Sequence, residues 1–275
     1  MAIPILNHWQ NYFTNPDEGL GSSYERIILN KKLETICKNF RIKSILEAPS
    51  FGFTGLSGIN SMQLAKSGLS VTVLDNDEGR AELVKGVWQK LNIPADIQFS
   101  KDFASLQFAD SSFDLSWNFS ALWFVNDIRN FLSELSRVTS KVIVLAVPNR
   151  TGLGYLSQKM SGAEELKNRL NEEYIKPKTF LPIMKNLNWN LIDSNFIDCP
   201  PWPDIGMSKD KFLKKFGIKT EEAKPKESLT ILDFYSFKNP DFEKRMLSYY
   251  GFEKMLPKIF KTFWAHHKYF LFVND

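Results

Sequence analysis

The stretch Ser44-Ile45-Leu46-Glu47-Ala48-Pro49-Ser50-Phe51-Gly52-Phe53-Thr54-Gly55, followed by Val71-Thr72-Val73-Leu74-Asp75, decides the fold. An apolar run ends in an acid, opens into a glycine-rich loop and passes through a short helix. A second apolar run then ends in another acid. A strand that delivers its chain to a Gly-rich turn and a helix N-terminus builds a pocket for a nucleotide-like ligand. Backbone N–H groups point at the ligand there, and glycine lets the chain approach it. An acid closing the next strand can accept hydrogen bonds from ribose hydroxyls. By itself the pattern is ambiguous, because Gly52, Gly55 and Gly58 are spaced GxxGxxG rather than GxGxxG.

Downstream residues narrow the reading. Asp96-Ile97-Gln98-Phe99 reads as a third strand, followed by Lys101-Asp102-Phe103. Leu106 to Asn118, containing Phe113-Asp114-Leu115-Ser116-Trp117-Asn118, reads as the approach to a fourth strand and the strand itself. A helix over about Asp127 to Val138 precedes a fifth strand, Lys141 to Val147, which ends in Pro148-Asn149.

This succession resembles the class I S-adenosylmethionine (SAM)-dependent methyltransferases of the type 11 kind, over roughly residues 41–149. The resemblance implies an α/β, Rossmann-like three-layer sandwich around a seven-stranded, mostly parallel sheet with strand 7 antiparallel. It also implies SAM as cofactor and S-adenosylhomocysteine (SAH) as product. Glu47 then matches the acid that ends strand 1. Asp75 matches the ribose acid that ends strand 2, with Asn76 beside it, and Asp102 the adenine-side acid, with Phe103 supplying the adjacent amide. Ala48, Pro49, Gly52 and Gly55 fall beside the methionine part of SAM, and Asn118 and Phe119 close strand 4. The chain departs from the family at Pro49, which stands where the first glycine is usual. Proline fixes φ and lacks an N–H, so the loop starts stiffly. Trp123 and Phe124 stand where the family often has histidines, so a ready-made base is absent at that point.

Composition agrees with a soluble enzyme. At 275 residues and 43% hydrophobic content the chain can bury a full core as one elaborated domain. Cys37 and Cys199 lie far apart without a metal-ligand pattern, which suggests a reducing, cytoplasmic setting. With three histidines in all, no Cys/His zinc site is expected, and no metal is assigned. No apolar run approaches a membrane span, and the short uncharged N-terminus does not read as a signal peptide. A net charge of +4 neither demands nor excludes an anionic partner.

Around the 41–149 core the organisation is expected as follows. Residues 1–40 form an N-terminal helical cover, with an amphipathic helix near Ser23 to Phe40. Residues 150–176 are an insertion after strand 5, with a polar helix around Ala163 to Glu173. Residues 177–200 and 268–275 complete the sheet: a helix at Pro177 to Leu187, strand 6 at Trp189 to Cys199 and strand 7 at Lys268 to Val273. Residues 201–267 are left as a helical insertion. Since strand 7 is antiparallel in the family, this insertion leaves from and returns to the edge where ligands sit, and a lid over the acceptor is expected, with a stabilising helical elaboration as the plainer alternative.

Asp198-Cys199-Pro200-Pro201-Trp202 looks like the signature of nucleobase amino-methyltransferases, but that signature belongs after strand 4, so nucleic acid is disfavoured as a partner. Lys209 to Lys219, interleaved with Phe212, Leu213 and Phe216, form a basic amphipathic helix. Such runs are mostly a solvated face over a packed one; an anionic substrate, peripheral contact with a membrane or RNA are the functional alternatives. His266 and His267 open strand 7 at the active edge and are the candidate bases, with Asn118 orienting one of them from strand 4. The bland alternative is a structural role, and adjacent strand residues face opposite sides, so only one of the pair can serve.

Methyl transfer from a sulfonium needs mainly alignment and exclusion of water, with a base only where the acceptor must lose a proton. The abundance of phenylalanine points to a small or lipid-like organic acceptor, with Trp123, Tyr155 and Trp202 as candidate lining residues. Oligomeric state is not legible. Two rivals remain. A nicotinamide-dependent dehydrogenase shares the strand–Gly loop–helix–strand–acid pattern, with 20 positions from Gly55 to Asp75 (75 − 55), but does not account for residues 102–125. A non-catalytic SAM-binding module is suggested by the altered Gly loop.

Overall fold

The computed structural model describes residues 9–160, 170–201 and 230–274. After a short turn of helix, α1 (Asn11–Thr14), a long helix α2 (Gly19–Asn39) leads into β1 (Ser44–Glu47), α3 (Met62–Lys66), β2 (Ser70–Asp75), α4 (Glu78–Lys90) and β3 (Asp96–Phe99). Then follow β4 (Phe113–Phe119), α5 (Ile128–Val138), β5 (Thr139–Pro148), α6 (Leu153–Met160), α7 (Pro177–Asn186) and β6 (Trp189–Ile197). The chain closes with α8 (Ile231–Tyr235), α9 (Asp241–Met255), α10 (Lys258–Trp264) and β7 (His267–Asn274).

The seven strands form one sheet in the order β3-β2-β1-β4-β5-β7-β6. Strands β1 to β5 pair in parallel, and β7 runs antiparallel to both of its neighbours. The antiparallel strand wedged between β5 and β6 distinguishes this sheet from the dinucleotide-binding order 3-2-1-4-5-6. In β5, residues Val142 to Pro148 are buried without alternation, as a strand covered by helices on both faces requires.

Each face of the sheet carries its own core. On one, Ile45, Val71, Val73, Leu115, Trp117, Val142 and Val144 meet α2, α3 and α4, and Phe242 and Met246 of α9 join from outside. On the other, Leu46, Leu74, Ile143, Leu145 and Phe270 meet α5 and α7. Helix α5 shows why its sequence takes this place. Ile128, Phe131, Leu132, Leu135 and Val138 fall on one stripe and are buried, and Asp127 caps the first turn by accepting from the amides of Arg129 and Asn130.

Two expectations need amending. Of the helix expected at Ala163 to Glu173, residues 161–169 lie outside the described region, and 170–173 form irregular chain and turn rather than helix. The described part of the 201–267 insertion is not simply a lid. Helix α9 runs against α2 on the sheet's flank, fastened by Tyr24 Oη–H donating to Glu253 (2.8 Å) and by Lys31 to Glu243 (2.7 Å). Only α10 lies at the active edge. There Asn149 Nδ2 donates to the carbonyls of Thr262 (2.9 Å) and Ala265 (2.8 Å). The basic run 209–219 and Trp202 lie outside the described residues.

Candidate active site

The Gly loop between β1 and α3 is braced from below. Glu47 ends β1 and accepts from Asn60 Nδ2 (3.0 Å), the Ser61 amide (3.0 Å) and Ser61 Oγ (2.6 Å). Arg26 of α2, fully buried, donates to Asn60, to the Leu56 carbonyl (2.9 Å) and with two nitrogens to Glu18 (3.0 and 2.6 Å). Glu18 in turn accepts from the Leu56 amide (3.3 Å). Burial outweighs these donors and pushes the Glu47 carboxyl up to about 7. The loop therefore hangs on a hydrogen-bonded chain from α2, with Glu47 as its strut.

Gly52 is the position where only glycine fits. A Cβ there would lie 2.2 Å from the Phe119 carbonyl oxygen and 2.6 Å from that of Ser120, so the loop abuts the end of β4 backbone to backbone. Around this junction three buried polar atoms have no hydrogen-bond partner: Asn118 Oδ1, Ser120 Oγ and Ser57 Oγ. Asn118 Nδ2 donates to the Ala48 carbonyl (3.3 Å), tying the two strand ends together.

Asp75 stands at the C-terminal end of β2, as expected, but its carboxylate is engaged. Oδ2 accepts from Ser50 Oγ (2.7 Å) and Arg80 Nε (2.8 Å), and Oδ1 from the Asp77 amide (2.9 Å) and Arg80 Nη2 (2.6 Å). Arg80 also reaches Asn76 Oδ1 (3.0 Å), and its guanidinium sits 3.8 Å from the Phe51 ring centroid and 5.1 Å from that of Trp9. The pair is deeply buried, with 1% and 6% of the two side chains exposed. Asp102, in contrast, is exposed, and its Oδ1 accepts from the Ala104 amide (2.9 Å). Phe103 is buried, its ring edge-on to Phe131.

At the other end of the edge, His267 pairs with Pro148 in register, beside the end of β5 as expected. Its ring lies 4.4 Å from that of Phe119 (centroid to centroid), and Nδ1 touches the Glu25 carboxylate of α2. Burial holds the imidazole well below its ordinary pKa, so it is neutral at pH 7. His266 bonds through Nδ1 to Asp198. Asn118 is not among the contacts of either histidine; Phe119 holds the place next to His267. Trp123 and Tyr155 are each 2% exposed. Both are buried in the core beneath α5, with Tyr155 Oη bonded to Glu172. A cleft of about 420 Å³ does open past the end of β5, lined by Pro148, Asn149, Arg150, Lys258, Thr262 and Lys268.

Sequence reasoning missed Arg80 and Glu25. An arginine five positions after the ribose acid was the available signal for the first. Glu25 gave none, being one of two acids on α2.

With this geometry in view, the relatives can be placed. Residues 53–144 match the family model described as a methyltransferase domain. No curated protein matches the chain in sequence. Among solved structures, a SAM-dependent methyltransferase from Thermotoga maritima is similar with a TM-score of 0.54 at 8% identity, covering 98% of this chain and 96% of that one. A protein from Galdieria sulphuraria, provisionally assigned as a sarcosine dimethylglycine methyltransferase, gives 0.53 at 12% identity, covering 90% and 85%. The [4+2]-cyclase SpnF gives 0.50 at 13%, covering 90% and 80%. The match over residues 53–144 and the shared fold make SAM the candidate cofactor.

The residues present fit that cofactor with one exchange. The tight loop at Gly52, the partnerless Asn118, Ser120 and Ser57 oxygens and the open Asp102 carboxylate provide a cradle with unused hydrogen-bonding capacity. At Asp75 a ribose would have to take the place of Arg80.

Proposed function

We propose that the protein moves a methyl group from SAM to a small or lipid-like organic acceptor held at the C-terminal edge of β4, β5 and β7. The observation that carries this reading is the meeting of the Gly loop with the end of β4 at Gly52, Phe119 and Ser120, at the start of and within the segment 53–144 that matches a methyltransferase domain. When bound, SAM supplies a sulfonium-activated methyl group with a good leaving group. The chain's own part is positional. Glu47 and Arg26 fix the loop, Asp75 and Asp102 offer acceptors for ribose and adenine, and Asn118 and Ser120 offer polar atoms at the strand end. Neutral His267 provides a lone pair for an acceptor proton. The cleft beside Asn149, with Arg150, Lys258 and Lys268 on its wall, gives the acceptor a place of entry and favours one with an anionic group. Helix α10 borders the cleft through Lys258 and Thr262 and so lies beside the acceptor. Buried, free Cys37 and Cys199 suit a reducing compartment such as the cytoplasm, and no helix among the described residues is long and apolar enough to cross a membrane.

Calorimetry with SAM and SAH tests the cofactor half. Asp75→Ala should weaken both by roughly ten-fold or more, since a lost partner to a buried polar ligand group costs about 1–3 kcal/mol. Unchanged affinity with a native circular dichroism spectrum would remove Asp75 from the site. Transfer of labelled methyl to an acceptor panel, anionic and neutral, tests the other half.

A second reading, a SAM-fold binding module without turnover, is favoured by one observation: Arg80 occupies the ribose acid. It predicts weak SAM binding and no product with any acceptor.

A further inference from the structure

Among the described residues, Glu25 of α2, Asp198 just after β6 and His267 at the start of β7 bring one ligand atom each within 4.8 Å of one another. All three are 1–2% exposed. Their backbones are firmly set. The His266 amide donates to the Asp198 carbonyl (3.0 Å), the Asn149 amide to the His266 carbonyl (2.8 Å), and the Cys199 amide to Glu253 (2.9 Å). Asp198 itself takes a left-handed backbone, φ +64°, which turns the chain at the exit of β6. Within the cluster His267 Nδ1 meets the Glu25 carboxylate, while Asp198 Oδ1 has no hydrogen-bond partner, and buried polar groups are rarely left so.

We propose that Glu25, Asp198 and His267 form a binding site for a divalent first-row metal ion at the acceptor end of the sheet. The donor set is two carboxylates and one imidazole. Imidazole favours Mn²⁺, Fe²⁺ or Zn²⁺ over Ca²⁺ and Mg²⁺, which prefer all-oxygen sites. Three protein donors leave coordination positions for other ligands, the arrangement of reactive rather than structural metal sites. His266 plays the outer-shell part, its Nδ1 on the second oxygen of Asp198, so that Oδ1 stays directed at the metal. The Phe119 ring, 4.4 Å from that of His267, joins the cluster to the end of β4. Resting on the methyltransferase reading, the metal would take the His267 lone pair that otherwise serves as base, hold the acceptor hydroxyl there and lower its pKa, so that the hydroxyl proton passes to water and the oxygen takes the methyl group as SAH departs.

The test uses the full-length protein, stripped with a chelator and titrated with Mn²⁺ or Zn²⁺ in the absence of SAM, so that its outcome is independent of the cofactor assignment. Calorimetry should give one site per chain, the metal should raise Tm, and Co²⁺ should acquire the visible bands of a bound ion. His267→Gln, Asp198→Asn and Glu25→Gln should each weaken binding by more than about 100-fold, and His266→Gln by roughly 10- to 100-fold. Absence of heat, thermal shift and cobalt bands in the wild-type protein would overturn the proposal, whatever the variants do. So would ligand variants that keep native circular dichroism and bind metal as tightly as the wild type. A Tm raised by methylammonium but by none of the three metals would reassign the cluster to a cationic acceptor and equally end the metal reading.

Discussion

Arg80→Leu is the perturbation with the sharpest consequence, because it should move stability and cofactor affinity in opposite directions. Arg80 gives Asp75 two charge-assisted hydrogen bonds, at 2.8 and 2.6 Å, in a pair with almost no solvent exposure. A bond to a charged group contributes about 1.5–3 kcal/mol net. Ribose hydroxyls return neutral donors in exchange, so expelling Arg80 should cost SAM about that much, or roughly 10- to 150-fold in affinity. Removing the guanidinium lifts that penalty. It also leaves a buried carboxylate short of its partner, at about 3 kcal/mol, the low end of the usual range because Ser50 and the Asp77 amide still donate. For a chain of this size that is a fall in Tm of roughly 6–12 °C. Calorimetry at pH 7.5 should therefore find SAM bound at least ten-fold more tightly by a less stable protein. Arg80→Lys, which keeps the charge but not the fork, should lie between. A folded Arg80→Leu protein that binds SAM no better than the wild type, or worse, would show that Arg80 does not compete with the ribose, and the argument would fail.

Gly52→Ala forces a methyl against two backbone carbonyls that cannot rotate away; a loss of about 1–3 kcal/mol in denaturant melts is expected, and wild-type stability would contradict the backbone contact. Glu253, in the bond to Tyr24, is pushed up to about 7 by burial, against about 4.5 in the unfolded chain. Folding then takes up a proton between these values, so its contribution is full below about pH 4.5 and lost as pH rises through about 7. The Tm of the wild type should accordingly fall relative to Glu253→Gln from pH 5 to 7.5, and parallel curves would refute the shift.

The five parallel strands and the place of His267 were legible in the sequence because each depends on a local pattern. An uninterrupted apolar run such as Val142 to Val147 reads as a strand covered on both sides, and the acids at 47, 75 and 102 mark the ends where runs stop. The site's present state was not legible, because it depends on contacts that local patterns do not carry. Nothing in the order of residues announces that Arg80, one turn into α4, folds back on Asp75 rather than into water. Nor does it announce that Trp123 is buried in the core shared with α5. Asp198 drew notice only within a Pro-Pro-Trp stretch that resembled another family's motif. Its partners, Glu25 and His267, are 173 and 69 positions away (198 − 25 and 267 − 198), a separation no short pattern spans.

Helix α2 gives the molecule a single mechanical axis. One of its turns suspends the Gly loop through Arg26, the preceding residue, Glu25, faces His267, and Tyr24 and Asn30 grip α9 and α8. A displacement of that one rod is felt together at the cofactor loop, at the end of β7 and along the flanking insertion. Any linkage between ligands meeting these three places would run through this rod and be reciprocal: whatever one gained from the other's presence, the other would gain in equal measure.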